Sequence, residues 1–90
     1  MNYTVYVLYS YEFDKYYTGQ TNNVKRRLEE HNSDKTGYTK SYQPWILVYE
    51  QKFKERRKAM ILEKYIKSFK NKNRIKAYIA GWRSSTSRGS

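Results

Sequence analysis

The chain has 90 residues, and 19 Lys and Arg against 8 Asp and Glu give it a formal net charge of +11. This length allows a single domain. The absence of cysteine excludes disulfides, thiolate nucleophiles and zinc–thiolate sites, and a single histidine excludes a multi-histidine metal cage. No apolar stretch approaches the roughly 20 residues of a membrane span, so we expect a soluble protein with a cytoplasmic location.

The supply of core residues is small and rich in tyrosine. Leu, Ile, Val and Phe make up 16 of the 90 residues, a share typical of disordered chains. Eleven Tyr and two Trp raise the set of large apolar residues to 29. The composition therefore predicts a thin core in which phenol rings pack and their hydroxyls reach polar partners.

The positive charge is confined to the second half of the chain. Residues 1–50 hold six basic and six acidic side chains, whereas residues 51–90 hold thirteen basic side chains and only Glu55 and Glu63. A field of this size favours a polyanion, because Lys and Arg release counterions from a phosphate backbone. The charge indicates a nucleic-acid partner, and a solvated basic face and an anionic membrane surface are the alternatives.

The first 20 residues predict a β-hairpin. The β-branched and aromatic run from Tyr3 to Ser10 is apolar on both faces, which is typical of a central strand. Residues 12–15 have the composition of a turn, and residues 16–18 predict a second strand that ends at Gly19.

A helix is predicted after the hairpin, capped by Thr21 or Asn22 and ending near Asn32. Its inward stripe combines two aliphatic and two cationic side chains at positions i, i+3, i+4 and i+7, namely Val24, Arg27, Leu28 and His31. Arg27 and His31 are thus predicted to point towards the interior of the domain.

A third strand and two further helices complete the predicted elements. After a polar loop over residues 32–43, the apolar run 45–49 predicts a strand that is buried on both faces. A helix is expected from Glu55 to about Lys70, with an apolar stripe at Leu62, Tyr65, Ile66 and Phe69. The same spacing recurs after a break near Asn71 and Asn73, at Ile75, Tyr78, Ile79 and Trp82. Residues 83–90 lack apolar side chains and are predicted to form a disordered tail.

Five side chains could carry chemistry, two on the hairpin, two on the first helix and one on the second: Tyr6, Tyr17, Arg27, His31 and Glu63. Glu63 lies at the shoulder of the apolar stripe beside Ala59 and Ile66, within a strongly basic half-chain. Each residue has a structural alternative, since strand tyrosines usually pack in the core and Glu63 could form an ion pair with Arg27 or Lys67. Composition and spacing alone leave the chemistry open.

Taken in order, these segments resemble the signatures of the GIY-YIG nuclease superfamily, in particular its small stand-alone bacterial members. Val5-Tyr6-Val7 stands at the place of the first signature, with Thr4 where the name has glycine, and Tyr17-Thr18-Gly19 stands at the place of the second. Residues 24–31 are similar to the family's arginine-bearing helix, 44–50 to its third strand and 59–67 to its glutamate-bearing helix. The match runs from about Asn2 to Trp82, which indicates one domain over residues 1–82.

The resemblance implies an α/β domain of the α+β type, in the order β-β-α-β-α-α, with a three-stranded antiparallel sheet flanked by helices. It also implies cleavage of phosphodiester bonds with one divalent ion, Mg²⁺ or Mn²⁺, held by Glu63. By the same resemblance Tyr6 would deprotonate or position the attacking water, and Tyr17 would contact that water or the scissile phosphate. Arg27 would stabilise the charge that develops on phosphorus, and His31 would accept a proton or bind phosphate.

The implied partner is nucleic acid, DNA more than RNA, cleaved with weak sequence specificity, and no membrane. Seven basic side chains are candidates for phosphate contacts: Lys25, Arg26, Lys40, Lys67, Lys70, Lys72 and Arg74. Asn71 and Asn73 are candidates for the family's C-terminal asparagine. A non-catalytic nucleic-acid-binding module on the same fold is the alternative to an enzyme, and a basic membrane-surface or protein-binding module is a third reading. Association with a bacterial nucleoid is compatible with the first two, and the sequence leaves the oligomeric state open.

Overall fold

The computed structural model describes residues 2–33 and 40–89, with side chains described as far as Trp82. These residues form β1 (Tyr3–Ser10), β2 (Lys15–Thr21), α1 (Val24–His31), β3 (Ile46–Phe53), α2 (Arg56–Lys67) and α3 (Lys72–Gly89). The order confirms the predicted α+β arrangement β-β-α-β-α-α. Residues 34–39 of the predicted loop lie outside the described residues.

The three strands form one antiparallel sheet in the order β2-β1-β3. The central position of β1 confirms the prediction made from its two apolar faces. Tyr6 pairs with Gly19 on β2 and with Glu50 on β3. The pairing of β1 with β3 shifts by one residue between Val7 and Leu8, which marks a bulge.

Two strand boundaries differ from the predictions. The second strand does not end at Gly19 but continues to Thr21, because its pairing with β1 extends to Thr4. The third strand begins one residue later than predicted and continues to Phe53, which pairs with Tyr3. Ile46 is largely exposed on this outer strand, so the prediction of a strand buried on both faces was wrong there.

The core consists of two clusters, one on each face of the sheet. Val5 and Val7 pack with residues of β3, of the two C-terminal helices and of the segment between those helices, namely Tyr49, Ala59, Ile66, Phe69 and Ile79. Tyr6 and Leu8 point to the opposite face, where they pack with Trp45 and with the partly buried Leu28 of α1. This alternation follows from the period of two along a strand, and it places Tyr6 on the face covered by α1.

The helix ends also correct and extend the predictions. Asn23, and neither Thr21 nor Asn22, caps α1, since its side-chain oxygen accepts a hydrogen bond from the backbone N–H of Arg26 at 3.1 Å. Tyr65 on α2 is largely exposed and does not belong to the buried stripe. The backbone of α3 is helical to Gly89, past residue 82, and the predicted domain boundary stays a prediction.

None of the helices in the described part of the chain combines the length and the apolar character that crossing a membrane requires.

Candidate active site

A cleft of about 370 Å³ lies at the outer strand β2. Tyr6, Tyr17 and Gly19 reach it from the face of the sheet that α1 covers, while Gln20 and α2 reach it from the other side. Its lining consists of Tyr6, Tyr17, Gly19, Gln20, Arg27, Arg56, Met60 and Glu63. Four of the five predicted catalytic residues therefore meet in one cleft, and their chemical roles stay predictions.

Gly19 leaves the space that the Tyr6 ring occupies. The two residues are cross-strand partners, and a β-carbon built on Gly19 would lie 2.6 Å from the Tyr6 hydroxyl oxygen and 2.8 Å from its ring carbon Cζ. No glycine among the described residues has a positive φ. Glycine is therefore needed at position 19 because a larger residue would collide with Tyr6, and not because the strand ends there.

Tyr6 is joined to His31 inside the protein. The hydroxyl oxygen of Tyr6 lies 3.0 Å from Nε2 of His31, and both side chains are almost fully buried. Burial raises the pKa of Tyr6 and lowers the pKa of His31, which the nearby Arg27 cation lowers further. At neutral pH His31 is consequently an uncharged imidazole that can accept the Tyr6 proton.

The position of His31 bears on the two roles that were predicted for it, accepting a proton and binding phosphate. Its ring lies behind Tyr6 and Tyr17, with centroids 6.0 and 4.6 Å away, and it does not line the cleft. A fully buried side chain cannot reach a phosphate in the cleft, so of the two roles only proton acceptance is compatible with this position.

Arg27 is held in place by a residue of its own helix. Its Nη1 donates to Oε1 of Glu30 at 2.7 Å, one turn along the same helix. Hydrogen bonding to Glu30 and then to Tyr6 raises the pKa of Arg27, so the guanidinium stays charged. Because its carboxylate partner lies on its own helix, Arg27 presents a fixed cation to the cleft.

Glu63 is the acidic side chain of the cleft. Its Oε1 accepts a hydrogen bond from Nε2 of Gln20 at 3.3 Å, and its Oε2 forms an ion pair with Nζ of Lys67 at 2.8 Å. The side chain is 20% exposed. The ion pair with Lys67 is one of the two structural alternatives predicted for Glu63, and the other was a pair with Arg27.

The donor set at Glu63 fits one hard divalent cation. A carboxylate offers about four acceptor positions, and the contacts with Gln20 and Lys67 use two of them. Within the described residues no group of three or more His, Cys, Asp or Glu side chains could hold a metal ion. A site with one carboxylate suits Mg²⁺, which keeps several waters and takes phosphate oxygens as further ligands.

The seven predicted phosphate-binding residues are all exposed, and none lines the cleft itself. Several are already engaged within the protein. Lys72 donates to the side chain and to the backbone oxygen of Asp14, both at 3.0 Å, and the Arg74 guanidinium lies 4.9 Å from the centre of the Phe69 ring. These seven contacts with nucleic acid stay predictions.

The candidate asparagines do not reach the cleft. Asn71 lies just before α3, where its side-chain oxygen accepts a hydrogen bond from the backbone N–H of Asn73 at 2.7 Å. Its geometry is that of a helix cap.

Three cleft residues were not predicted from the sequence, namely Gln20, Arg56 and Met60. Arg56 and Met60 precede Glu63 on α2 by seven and three residues, so helical spacing could have identified them as its neighbours. Gln20 follows Gly19 on β2, and only the position of α2 against the sheet brings it to Glu63.

Several known proteins are similar to this chain in sequence, and one solved structure is similar to it in fold. The family model of the GIY-YIG catalytic domain matches residues 2–78. A UPF0213 protein of Staphylococcus haemolyticus is 41% identical over 61 residues, which cover 67% of this chain and 74% of that protein. A UPF0213 protein of Bacillus licheniformis is 41% identical over 59 residues, or 64% of this chain and 61% of the relative. The solution NMR structure of a UPF0213 protein of Bacillus halodurans matches with a TM-score of 0.55 at 32% identity, over 87% of this chain and 83% of that one.

Proposed function

The chain belongs to the GIY-YIG family, and from this premise we propose that it is a divalent-metal-dependent nuclease that hydrolyses phosphodiester bonds in nucleic acid, DNA rather than RNA, with weak sequence specificity. The family is a nuclease superfamily, which gives the reaction class. The observation that carries the proposal is the meeting of Tyr6, Arg27 and Glu63 in one cleft, each from a different element. A carboxylate that can hold a metal ion and a fixed cation are groups that stabilise the charge of a hydrolysed phosphodiester, and a hydroxyl beside them can take part in proton transfer.

Glu63 would hold the ion, Mg²⁺ or Mn²⁺. A bound divalent ion supplies Lewis-acid stabilisation of the negative charge on the phosphate oxygens. Gln20, which donates to Oε1, fixes the orientation of the carboxylate. Lys67, paired with Oε2, would compensate the charge of Glu63 in the free protein.

Arg27 would bind the scissile phosphate. Its charge is permanent, and its hydrogen bond to Glu30 restricts its position. A positioned cation stabilises charge that develops in the transition state without reorganisation at the moment of reaction. Tyr17, whose ring rests against His31, would direct its hydroxyl towards the same phosphate or the attacking water.

Tyr6 and His31 would handle the proton of the attacking water. Water attacks phosphorus and the bond to the leaving oxygen breaks. The water proton passes to the Tyr6 hydroxyl as the proton of Tyr6 passes to Nε2 of His31, 3.0 Å away, and the leaving oxygen takes a proton from solvent. The lowered pKa of His31 keeps it unprotonated before the reaction, which this transfer requires.

The charge distribution supports a nucleic-acid substrate and weak sequence specificity. Thirteen of the nineteen basic residues lie in residues 51–90, and phosphate contacts carry affinity without sequence information. For a small enzyme of this type we propose the cytoplasm as its location, where the nucleoid would be accessible.

A non-catalytic nucleic-acid-binding module is the second candidate function. The ion pair between Glu63 and Lys67 favours it, because an ammonium 2.8 Å from Oε2 already neutralises the carboxylate. Under this function Glu63 would stabilise α2 and would never hold a metal.

A cleavage assay separates the two functions. The protein would be incubated with linear, nicked, branched and single-stranded DNA, and with the same set in RNA, in Mg²⁺, in Mn²⁺ and in EDTA. We expect cleavage with either metal, none in EDTA, and faster cleavage of DNA. If the folded protein binds these nucleic acids and cleaves none of them, the result would support the binding module instead.

A further inference from the structure

Arg56 is the second arginine of the cleft, and it differs from Arg27 in its partners. Arg27 is held by Glu30. Arg56, the first residue of α2, is exposed, and among the side chains that the structure describes it has no carboxylate partner. An arginine that lines a cleft without a partner is available for an anion.

Met60 is a large apolar side chain in an otherwise polar cleft. It lies one turn after Arg56 and one turn before Glu63, and it is 41% exposed. A thioether on a flexible side chain makes adaptable contacts with apolar surfaces and provides no hydrogen-bond donor to select a base. Its position between a cation and the carboxylate suits the sugar or base of a nucleotide.

The spacing along α2 separates Arg56 from the reacting phosphate. At a rise of about 1.5 Å per residue, Arg56 begins about 10 Å along the helix axis from Glu63. One strand of a duplex carries a phosphate about every 3.4 Å of its axis. A strand that runs along α2 with its scissile phosphate at Glu63 therefore has the phosphate about three positions along near Arg56.

We infer that Arg56 and Met60 form a subsite for the strand beside the scissile phosphate, in which Arg56 binds the phosphate about three positions along and Met60 packs against a sugar or base between the two phosphates. The inference rests on the proposed function, because that function places the scissile phosphate at Glu63. The subsite gives register along the strand without base selection, which agrees with weak sequence specificity.

The neighbouring residue on α2 provides a matched control. Arg57 is also exposed, carries the same charge and does not line the cleft. We would compare Arg56→Ala and Arg57→Ala by the anisotropy of a fluorescent single-stranded DNA oligonucleotide at several salt concentrations in EDTA. We expect Arg56→Ala to weaken binding about tenfold or more, since a hydrogen-bonded charge is lost. The slope of log affinity against log salt should become shallower by about 0.7.

Arg57→Ala should weaken the same binding by less than about threefold, as expected for an exposed charge without a contact. Arg56→Lys should restore part of the affinity and of the slope, because it keeps the charge without the fork of the guanidinium. Equal losses in Arg56→Ala and Arg57→Ala would overturn the subsite. Both side chains are exposed, and unchanged circular dichroism and melting temperature would verify folding.

Met60 has its own control in Ile61, which is 61% exposed and lies outside the cleft. Met60→Gln should weaken binding about threefold with an unchanged salt slope, as expected for an apolar contact, and Ile61→Gln should leave binding unchanged. A loss in Ile61→Gln as large as that in Met60→Gln would contradict the role of Met60.

The kinetics would then separate this subsite from the catalytic groups. On a DNA substrate with Mg²⁺, Arg56→Ala should raise KM about tenfold and leave kcat within about threefold of the wild type. A collapse of kcat at unchanged KM would overturn the subsite by assigning Arg56 to the reaction itself. If the wild-type protein cuts nothing, the proposed function fails, and the binding comparison of Arg56→Ala with Arg57→Ala still decides whether Arg56 binds a phosphate of the strand.

Discussion

Gly19 lies directly against the phenol of Tyr6, so that a β-carbon at position 19 would stand 2.6 Å from the Tyr6 hydroxyl oxygen. Contacts this short do not occur between a β-carbon and its neighbours, so one side chain would have to move. Tyr6 is almost fully buried and bonded to His31, which leaves its ring little freedom. Gly19 of the second signature is therefore needed for Tyr6 of the first signature to keep its position.

Gly19→Ala should displace Tyr6 and lower stability by about 1–3 kcal/mol, the usual cost of overpacking. Cleavage should fall further than stability does, because the Tyr6–His31 hydrogen bond depends on the ring position. Gly81→Ala is the control, since the new methyl group meets nothing within 4 Å on an exposed helix and should stabilise by about 0.5–1 kcal/mol. Thermal melting and cleavage rates check both, and an unperturbed Gly19→Ala protein would contradict the steric account.

Local patterns in the sequence predicted much of the site. The bounds and the central position of β1 followed from its apolar character on both faces. The inward stripe of α1, with Arg27 and His31, followed from helical periodicity, and so did the alternative pairing of Glu63 with Lys67. These features involve residues within one element, where spacing alone fixes proximity.

Contacts between different elements could not be predicted from the sequence. The bond from Tyr6 to His31 joins residues 25 positions apart, and the bond from Gln20 to Glu63 joins residues 43 apart. Both depend on how α1 and α2 pack on the sheet, which no periodicity encodes. The steric role of Gly19 likewise depends on the register that opposes it to Tyr6.

The buried His31 should make stability depend on pH in mildly acidic solution. Its pKa is lowered in the folded protein, so below about pH 6.5, the ordinary pKa of histidine, the unfolded chain binds more protons than the folded one. Stability should therefore fall as the pH drops below that value, by at most about 1.4 kcal/mol per pH unit. Denaturant unfolding of the wild type and of His31→Gln between pH 7 and about pH 4.5 tests this.

His31→Gln should lack this slope, because the amide does not titrate. The carboxylates whose pKa values are lowered, Asp14 and Glu30, begin to lose stabilisation at about pH 5, but both proteins contain them, so they do not produce a difference between the two profiles. Cleavage by the folded protein should fall as the pH drops through the lowered pKa of His31, since protonated His31 cannot accept the Tyr6 proton. Parallel stability profiles for the two proteins would refute this account of His31.

The two cleft tyrosines should respond differently to the loss of the hydroxyl. Tyr6→Phe removes the bond to His31 and should cost about 1 kcal/mol of stability and about 10²- to 10⁴-fold in cleavage rate. Tyr17→Phe should leave stability unchanged, because its hydroxyl makes no hydrogen bond to the described side chains, and should lower the rate. Tyr16→Phe, next to Tyr17 but on the other face of the sheet, is the control and should cut normally. Normal cleavage by both Tyr6→Phe and Tyr17→Phe would return these residues to a packing role.

Lys70 and Lys72 should contribute unequally to nucleic-acid binding. Both are exposed, but Lys72 is held by Asp14 through two contacts of 3.0 Å, so its charge is already compensated. Lys70→Ala should make the slope of log affinity against log salt shallower by about 0.9 for duplex DNA, and Lys72→Ala should change it less. Binding titrations at several salt concentrations measure both slopes. A larger change in Lys72→Ala than in Lys70→Ala would show that Lys72 leaves Asp14 when nucleic acid binds.

Glu63→Gln separates a metal ligand from a structural ion pair. The substitution keeps the shape of the side chain and removes the charge that a divalent ion needs. Cleavage should fall by more than the roughly 10- to 100-fold that an outer partner of a metal ligand costs. Affinity for DNA in EDTA should stay or rise, because one negative charge leaves a site that accepts phosphate. Stability should change by no more than about 1 kcal/mol, since Lys67 in the pair is 54% exposed and water screens the interaction.

Glu55→Gln is the matched control, because it removes the other acid of the basic half with the same change in net charge. Glu55 lies just before α2, largely exposed and 3.6 Å from Lys58, and outside the cleft. It should therefore raise DNA affinity slightly through the net charge and leave cleavage intact. Melting temperature, DNA affinity and Mg²⁺-dependent cleavage would be measured on the same preparation of each variant. If Glu63→Gln has a lower melting temperature and still cleaves at the rate of Glu55→Gln, then Glu63 forms a structural ion pair with Lys67 and is not a metal ligand.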